Sequence, residues 1–458
     1  MKENKMSRNI DFSKGPVWKC IVAQALPLTV AQLVQLLYNV VDRIYLGHLG
    51  DGNSIALTGV GLTFPIVTLI MAFTALFGMG GVPLFSMARG DRDEEKAAQI
   101  LGNVFGLLSI SAVILTVLCL VFRRPILFAF GASEASYIYA DEYLKIYLWG
   151  TLFSMIATGC NGYINAQGFP KIGMFSTLIG AGINIVLDPL FIFGMDMGVS
   201  GAALATIISQ ACSAMWVLKF LTGKNAVIPL KLRNIRIQKE ISLEVFKLGT
   251  ANFIMQGTNC LVQIVCNSTL QGYGGDIYVG IMTVANSVRE IFMLPINGII
   301  SGAQPVISFN YGAKDYKRVK DGIRFNTFMG ASYTMFAWFL VIVFPKFWFG
   351  LFSDDMQMAE IGIGALKIYF FGFVFMAFQF AGQSTFQALG DAKHAIFFSL
   401  LRKAFIVVPL TLALPMLGFG VKGVFLAEPI SNVIGGLASY ITMRMTIYKT
   451  LENNGKGL

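Results

Sequence analysis

The 458-residue chain is 55% hydrophobic and 13% charged and has a formal net charge of +10, with a mean hydropathy of +0.66. Soluble domains average about 25% charged residues, so this composition excludes a soluble globular protein and indicates one that is dissolved in a bilayer. The basic surplus alone would suggest a nucleic-acid partner, but the positions of the charges argue against one.

Twelve apolar runs, each long enough to cross a bilayer as a helix, follow one another along the chain. They fall near residues 17–45, 55–82, 98–122, 143–162, 172–194, 201–222, 246–271, 277–305, 325–345, 361–385, 394–418 and 423–447. The sequence therefore predicts an all-α polytopic membrane protein with twelve transmembrane helices.

Lys and Arg residues are distributed unevenly between the connecting loops. If the N-terminus is cytoplasmic, 24 of the 35 lie in loops on that side and 4 lie in loops on the other. This asymmetry follows the positive-inside rule, and the basic side also attracts anionic lipid. We therefore expect both termini to be cytoplasmic and the partners to include membrane lipids but no nucleic acid.

The two halves of the chain are related by an internal repeat of 222 residues. The segment LKIYLWG at 144–150 matches LKIYFFG at 366–372, and the register holds without a gap over most of both halves. Six spans separate the repeats, so both halves enter the membrane from the same side. The predicted domains are an N-terminal lobe (1–222), a cytoplasmic linker (223–245) and a C-terminal lobe (246–458), an arrangement that suits alternating access.

Two acids are predicted at a similar depth in the N-terminal lobe. In the first span Gln35, Asn39 and Asp42 lie on one helical face, with Asp42 about 7 Å below the outer end of the helix. In the fifth span Asp188 lies one turn after Asn184 and about 9 Å below the same surface. Close carboxylates in a low dielectric can hold a proton or a small cation, so intramembrane acids are functional hypotheses.

Both acids also have a structural interpretation. Asp42 could pair with its neighbour Arg43 or extend to the interface, and Asp188 could be a structural acid at a helix end before Pro189. The sequence alone leaves these alternatives open.

The C-terminal lobe distributes its polar residues differently. Its first span, the seventh, carries a stripe of amides that includes Gln256 and Asn259 but no acid. Ionisable residues occur in later spans, where they form either a structural ion-pair network or a second coupling or cargo site. These residues are Arg289, Glu290, Arg402, Lys403 and Glu428.

Polar positions recur at the repeat spacing. Asn161 and Asn165 correspond to Gln383 and Gln387, and Thr206 corresponds to Glu428. Polar residues at equivalent places in both lobes suggest that the two lobes line one hydrated cavity.

Four segments resemble the multidrug and toxic compound extrusion (MATE) transporters: LYNVVDRIYLGHLG from Leu37, PLFSMARGDRDEEKA from Pro83, NGYINAQGFPK from Asn161 and NIVLDPLFIFG from Asn184. The resemblance covers nearly the whole chain. It implies a cation or proton site at Asp42 and Asp188, with a polar surround of Gln35, Asn39, Tyr143, Asn161, Asn184 and Thr206. Some members of the family place coupling acids in helices seven and ten. This sequence has none there, so any coupling in the second lobe must use Glu290 or Glu428, or be absent.

We therefore expect a non-enzymatic secondary antiporter of the bacterial cytoplasmic membrane, monomeric, which exports amphipathic, cationic drugs or metabolites. Its coupling ion is Na⁺ or H⁺, and we expect no other metal and no cofactor. The predicted coupling residues are Asp42, Asp188, Asn184, Asn161 and Thr206, and the predicted substrate cavity contains Gln35, Asn39, Tyr143, Asn165, Gln256, Asn259 and Gln383. The alternatives are a flippase of a lipid-linked precursor from the same superfamily, which a cavity ringed by cations would favour, and a channel.

Overall fold

The computed structural model describes residues 9–47, 59–130, 132–352 and 356–455, apart from the side chains of residues 39, 40, 42–44, 46, 47, 356, 357 and 453–455. This described part of the chain is predominantly helical and contains no β-strand.

The α-helices of the first half are α1 (Val17–Gly47), α2 (Phe64–Thr74), α3 (Gly80–Gly90), α4 (Glu94–Ala129), α5 (Glu134–Trp149), α6 (Thr151–Gly159), α7 (Asn161–Ala166), α8 (Pro170–Pro189) and α9 (Gly198–Leu221). Two π-helical turns, Ala75–Met79 and Leu190–Gly194, and a 3₁₀ turn, Leu232–Asn234, complete it.

The second half contains α10 (Lys239–Gly274), α11 (Asp276–Gly312), α12 (Tyr316–Val343), α13 (Pro345–Gly350), α14 (Met356–Phe370), α15 (Met376–Ala388), α16 (Ala392–Leu400), α17 (Val408–Leu414), α18 (Gly420–Met443) and α19 (Lys449–Gly455). A 3₁₀ turn at Phe373–Phe375 and π-helical segments at Leu401–Val407, Pro415–Phe419 and Arg444–Tyr448 connect them.

Nine stretches of the described residues are long and apolar enough to cross a membrane, judged by length and composition. The predicted spans near 143–162 and 246–271 are not among them; the second lies in α10, which is rich in Asn and Gln. One of the nine, Ala392–Glu452, contains two predicted spans, which meet where Gly418 (φ 94°) and Gly420 (φ 53°) turn the chain. The nine stretches contain ten of the twelve predicted spans, and helices α5, α6 and α10 lie at the other two, so the described helices match the predicted fold of twelve transmembrane helices.

The 222-residue repeat is visible in the backbone. Left-handed φ angles occur at equivalent positions of the two halves: 60° and 59° at Arg92 and Lys314, 90° and 82° at Gly168 and Gly390, 53° and 94° at Asp196 and Gly418, and 55° and 53° at Gly198 and Gly420. Because residues with positive φ are uncommon outside turns, this coincidence shows that the two halves share their loop geometry as well as their helices.

The interruption of the fourth span also repeats. Gly150 ends α5, and a Cβ there would lie 2.7 Å from the side chain of Ile207. Its equivalent, Gly372, follows α14, and a Cβ there would lie 2.4 Å from the carbonyl oxygen of Pro429. Ile207 and Pro429 are themselves 222 residues apart. Glycine is therefore needed at the same helix–helix contact in both halves.

The chain divides into two compact units. Unit 1 comprises the described residues of Met1–Asp11 and Val30–Gly249, and unit 2 those of Phe12–Thr29 and Thr250–Leu458. This division differs from the sequence-based boundaries at two places.

The segment 223–245, which the sequence predicted as a linker, packs within unit 1, because the Asn103 amide donates to the carbonyls of Arg236 (3.3 Å) and Gln238 (3.2 Å). Residues 12–29 group with unit 2, where the Arg318 guanidinium donates to the carbonyls of Phe12 (2.7 Å) and Gly15 (2.6 Å). Side-chain bonds to backbone carbonyls therefore fix both segments.

Helix α4 illustrates how each unit meets the membrane. Leu101, Leu108 and Ala112 are fully buried in the apolar core of unit 1, whereas Val113 and Val121 on the same helix are more than half exposed. A helix that is apolar on both its buried and its exposed face is typical of a span that contacts lipid.

Candidate functional site

An amide–carboxylate pair is enclosed in unit 1 near the end of α8. The Asn184 Nδ2 donates to the Asp188 Oδ1 at 3.1 Å, across one helical turn. Both side chains are at most 1% exposed. The Asn184 Oδ1 is also buried, and it has no hydrogen-bond donor among the described residues. The pair therefore offers oxygen atoms, one of them unsatisfied, in a site closed to water.

The local sequence explains why α8 ends beside this pair. Pro189 follows Asp188 directly and has no N–H to continue the helical hydrogen bonds. The chain leaves α8 through the π-helical turn Leu190–Gly194. Wider π turns inside helices are frequent at functional sites, which is consistent with a site at this end of α8.

Helix α1 reaches the same region of unit 1. The Tyr45 ring packs edge-to-face on Phe193, with ring centroids 6.4 Å apart and planes at 78°. Gln35 is half-buried on α1, whereas the side chains of Asn39 and Asp42 lie outside the described residues. The proximity of Asp42 to Asp188 thus stays a prediction.

Two further predicted residues are buried on neighbouring helices of unit 1. The Thr206 hydroxyl on α9 donates to the Ala202 carbonyl at 2.9 Å, which leaves its oxygen lone pairs available as acceptors. Tyr143 on α5 is 7% exposed and stacks on Tyr147, with centroids 5.7 Å apart. Helices α5 and α8 both pack against α9.

Asn161 and Asn165 form a second polar group. Their amide oxygens lie so close to Gly173 that a Cβ there would be 2.7 Å from one and 2.2 Å from the other, and the Asn161 Nδ2 donates to the Gly173 carbonyl at 3.1 Å. Gly173 precedes Asn184 by eleven residues, about 16 Å along α8. The structure therefore places Asn161 beside Asn165 and far along the helix from Asn184, although the sequence assigned Asn161 to the coupling site.

Predicted amides of unit 2 meet on α15 and its neighbours. The Gln383 Nε2 donates to the Ser399 hydroxyl at 2.6 Å, and the Gln387 Nε2 donates to the Asn252 Oδ1 on α10 at 3.0 Å. Because these bonds join three elements of unit 2, this polar group holds helices together. The other predicted residues on α10 are half-buried: Gln256 and Asn259.

The ionisable residues of unit 2 form a buried cluster centred on Glu428. Its carboxylate accepts from the Arg289 Nη1 at 3.1 Å, the Arg402 Nη1 at 3.0 Å and the Lys403 Nζ at 2.9 Å. The Glu428 side chain is 6% exposed and that of Lys403 is 3% exposed. Glu290, the fifth residue of the predicted network, is exposed on α11 and is not bonded to the Glu428 carboxylate. Because consecutive residues of a helix point in different directions, Arg289 turns inward and Glu290 outward.

Arg402 and Lys403 are consecutive residues that nevertheless bind one carboxylate. They lie in the π-helical segment Leu401–Val407, whose wider turn brings both side chains toward Glu428. The Arg402 Nη1 also donates to the Asn432 Oδ1 at 3.0 Å, and the Ser431 hydroxyl donates to the Arg402 carbonyl at 2.8 Å. Hydrogen bonds to both the side chain and the backbone of Arg402 therefore hold the cluster in place.

Comparison of equivalent positions in the two halves shows how unit 2 makes room for this cluster. The equivalent place in unit 1 carries different residues. A Cβ at Gly435 would lie 3.2 Å from the Arg402 Cγ, so glycine makes room for the guanidinium stem. The residues equivalent to Arg402 and Gly435 in unit 1 are Gly180 and Ser213, and there a Cβ at Gly180 would lie 2.4 Å from the Ser213 Oγ. The large and small partners have exchanged places between the halves.

Sequence reasoning missed one ionic group of unit 1. Asp141 on α5 accepts from the Arg123 Nε and the Lys145 Nζ, both at 2.6 Å. The spacing of Asp141 and Lys145, one helical turn, could have indicated it. Over the described ranges, His, Cys, Asp and Glu side chains form no group of three that could hold a metal ion.

Comparisons with known proteins bear on this geometry. A family model described as MatE matches residues 27–190 and 252–412. The multidrug export protein MepA of Staphylococcus aureus strain MSSA476 is 26% identical over 431 residues, covering 94% of each chain. MepA of Staphylococcus saprophyticus is 27% identical over 446 residues, covering 96% of this chain and 97% of the relative.

A crystal structure of MATE in the bent conformation superposes with a TM-score of 0.91 at 24% identity, covering 99% of this chain and all of that one, and it shows the common fold. The family match spans both halves of the chain. This chain therefore belongs to the MatE family of multi-pass membrane transporters, the family of the multidrug and toxic compound extrusion proteins.

Proposed function

We propose that this protein is a secondary active antiporter that exports amphipathic, cationic compounds in exchange for Na⁺ or H⁺ by alternating access. The observation that carries the proposal is the Asn184–Asp188 pair, an acid with no exposed surface in a membrane-spanning helix. The curated relatives, named as multidrug export proteins, support export as the direction of transport.

An enclosed carboxylate favours a ligand that brings positive charge. Transfer out of water disfavours the ionised form of a carboxyl group, so a proton or a cation is bound more readily beside it. A proton, Na⁺ or a cationic cargo could each neutralise Asp188, and the unsatisfied Oδ1 of Asn184 is an oxygen acceptor of the kind that suits Na⁺. These three ligands would therefore compete for one site. Such competition supports antiport when each ligand binds one conformation of the transporter better than the other.

Asp42 is proposed as the second carboxylate of this site. The contact between Tyr45 and Phe193 holds α1 beside the turn that follows Asp188, and Asp42 precedes Tyr45 by three residues in the same helix. Thr206, Gln35 and Tyr143 would supply further hydroxyl and amide groups.

The stoichiometry of exchange decides what drives export. Exchange of one Na⁺ or H⁺ for one monovalent cationic cargo moves no net charge, so the cargo gradient follows the concentration gradient of the coupling ion, about tenfold for each 1.4 kcal/mol. Each coupling ion beyond the first adds one net charge, which yields about 2.3 kcal/mol at about 100 mV.

The cellular setting follows from the same proposal. We place the protein in the bacterial inner membrane with both termini in the cytoplasm, because most Lys and Arg residues lie in loops on that side. It would work as a monomer, with lipid as its surroundings and the coupling ion as its only cofactor.

Equilibrium binding of a fluorescent cationic dye to the purified protein tests the proposal. Raising Na⁺ at fixed pH, with K⁺ keeping ionic strength and chloride constant, or lowering pH without Na⁺, should weaken dye binding about tenfold or more. The Asp188→Asn protein should bind the dye weakly and show neither dependence. Its matched control is Glu142→Gln, which removes an exposed carboxylate from the same unit and should behave as wild type. Dye affinity that stays flat in both wild-type titrations would exclude competition at Asp188.

The alternative, a flippase of a lipid-linked precursor, is favoured by one observation: unit 2 contains a cluster of three cations around Glu428. In vesicles a flippase would move a lipid-linked anionic precursor and leave a soluble cationic dye in place, whereas the antiporter would accumulate the dye under an imposed Na⁺ or pH gradient. A channel would instead carry ion current without any cargo.

A further inference from the structure

The Glu428 cluster has more positive than negative charge. Arg289, Arg402 and Lys403 all bond to Glu428, the one carboxylate that the described residues place in contact with these three cations. Arginine keeps its charge in proteins, so even an uncharged Lys403 would leave two guanidinium groups facing one carboxylate. Glu290 lies next to Arg289 in the chain and its charge acts on Arg289, but it is exposed, and Glu428 is the carboxylate that bonds to all three cations.

A buried excess of cations is unfavourable without a counter-charge. Outside water, an unpaired cation loses its hydration and gains nothing in return. The cluster lies among membrane-spanning helices, with Lys403 only 3% and Arg402 only 9% exposed. A ligand that brings negative charge would therefore bind here with a favourable electrostatic energy.

One donor of the cluster is also unsatisfied. The Arg289 Nε is buried and has no hydrogen-bond acceptor within the described part of the chain, although its Nη1 donates to Glu428. Leaving a buried donor of a charged group unpaired is unfavourable. An anion beside Arg289 would satisfy this N–H and reduce the charge excess at once.

The site is particular to the second half of the chain. The residues equivalent to Arg289, Arg402, Lys403 and Glu428 in the first half are Val67, Gly180, Ala181 and Thr206, of which none is charged. Gly435 provides the space for Arg402, so the packing of unit 2 is adapted to hold the cations.

We propose that the Arg289–Arg402–Lys403–Glu428 cluster of unit 2 binds a small anion, chloride or a monocarboxylate, which accepts a hydrogen bond from Arg289. This site is separate from the Asn184–Asp188 pair and does not depend on the proposed antiport.

Thermal unfolding of the purified full-length protein tests this at constant Na⁺ and ionic strength, with chloride or acetate replacing gluconate, an anion too large for a buried site. We expect a saturable rise of the melting midpoint by about 1–3 °C. A response to acetate alone would identify a carboxylate, and a response to both anions a site that accepts either. Equal midpoints in all three anions would overturn the proposal.

Variants separate the cluster from general effects of salt. Arg289→Gln should abolish the anion response, and Arg289→Lys, which keeps the charge but lacks the Nε–H, should weaken anion affinity about tenfold or more. The matched control Arg444→Gln removes an exposed guanidinium and should keep the full response. Line broadening of ³⁵Cl in NMR spectra should follow the same order in the folded proteins. A wild-type response in Arg289→Gln would also overturn the proposal.

Discussion

Replacing Glu428 with Gln is expected to destabilise the protein strongly. The carboxylate accepts bonds from three cations at 2.9–3.1 Å and is 6% exposed. Gln keeps the size of the side chain and one acceptor oxygen but removes the charge, so the cations lose their shared partner. Removing one member of a buried ion pair costs about 3–5 kcal/mol, and at about 2–4 °C per kcal/mol the melting midpoint should fall by roughly 10 °C.

The assay is thermal unfolding of purified protein at fixed salt, with Glu290→Gln as the matched control. Glu290 is exposed and not bonded to the cations around Glu428, so the same substitution there should change the midpoint by less than about 2 °C. Equal midpoints for Glu428→Gln and wild type would refute the stabilising role of the cluster. Unchanged stability together with a shifted Na⁺ or pH dependence of export would instead assign a second coupling site to Glu428.

Two other predictions concern packing and topology. Gly249→Ala should lower expression of folded protein, since the new Cβ would lie 1.7 Å from the Leu76 carbonyl oxygen. The control Gly257→Ala, on the same helix, adds a Cβ that meets nothing within 4 Å and should be tolerated. Equally good folding of both variants, measured by gel filtration, would contradict the close contact. For topology, the six native cysteines are replaced and one cysteine is introduced at Arg233. This cysteine should react only with reagents supplied from the cytoplasmic side. Its labelling in intact cells by an impermeant reagent would reverse the predicted orientation.

The fold could be predicted from the sequence because its two determinants are local or periodic. Apolar runs of bilayer length define membrane helices, and the 222-residue register predicted the halves whose turns at Gly168 and Gly390 share their φ values. The sequence did not reveal that residues 12–29 group with unit 2. That depends on tertiary contacts such as those of Arg318 with backbone carbonyls.

The candidate sites divide in the same way. The contact between Asn184 and Asp188 follows from their spacing of one helical turn. Two other findings do not follow from spacing, because they depend on how separate helices face one another. Asn161 lies beside Gly173, and Glu428 rather than Glu290 is the centre of the ionic cluster. Polar residues in spans thus indicated which helices carry buried polar groups, but not which residues meet.

The exchanged glycines constrain how the two halves could have diverged after duplication. In unit 1 Gly180 is crowded by Ser213, and in unit 2 Arg402 occupies the space left by Gly435. A Cβ at 435 would lie 3.2 Å from the Arg402 Cγ, so a large side chain at the first position packs best when the second is glycine. A chain with Gly at both positions is therefore the accessible intermediate between the two arrangements. The same coupling acts in both halves: a serine at 435 would force the Arg402 stem to shift, while a glycine at 213 would be the first step towards a cationic site in unit 1.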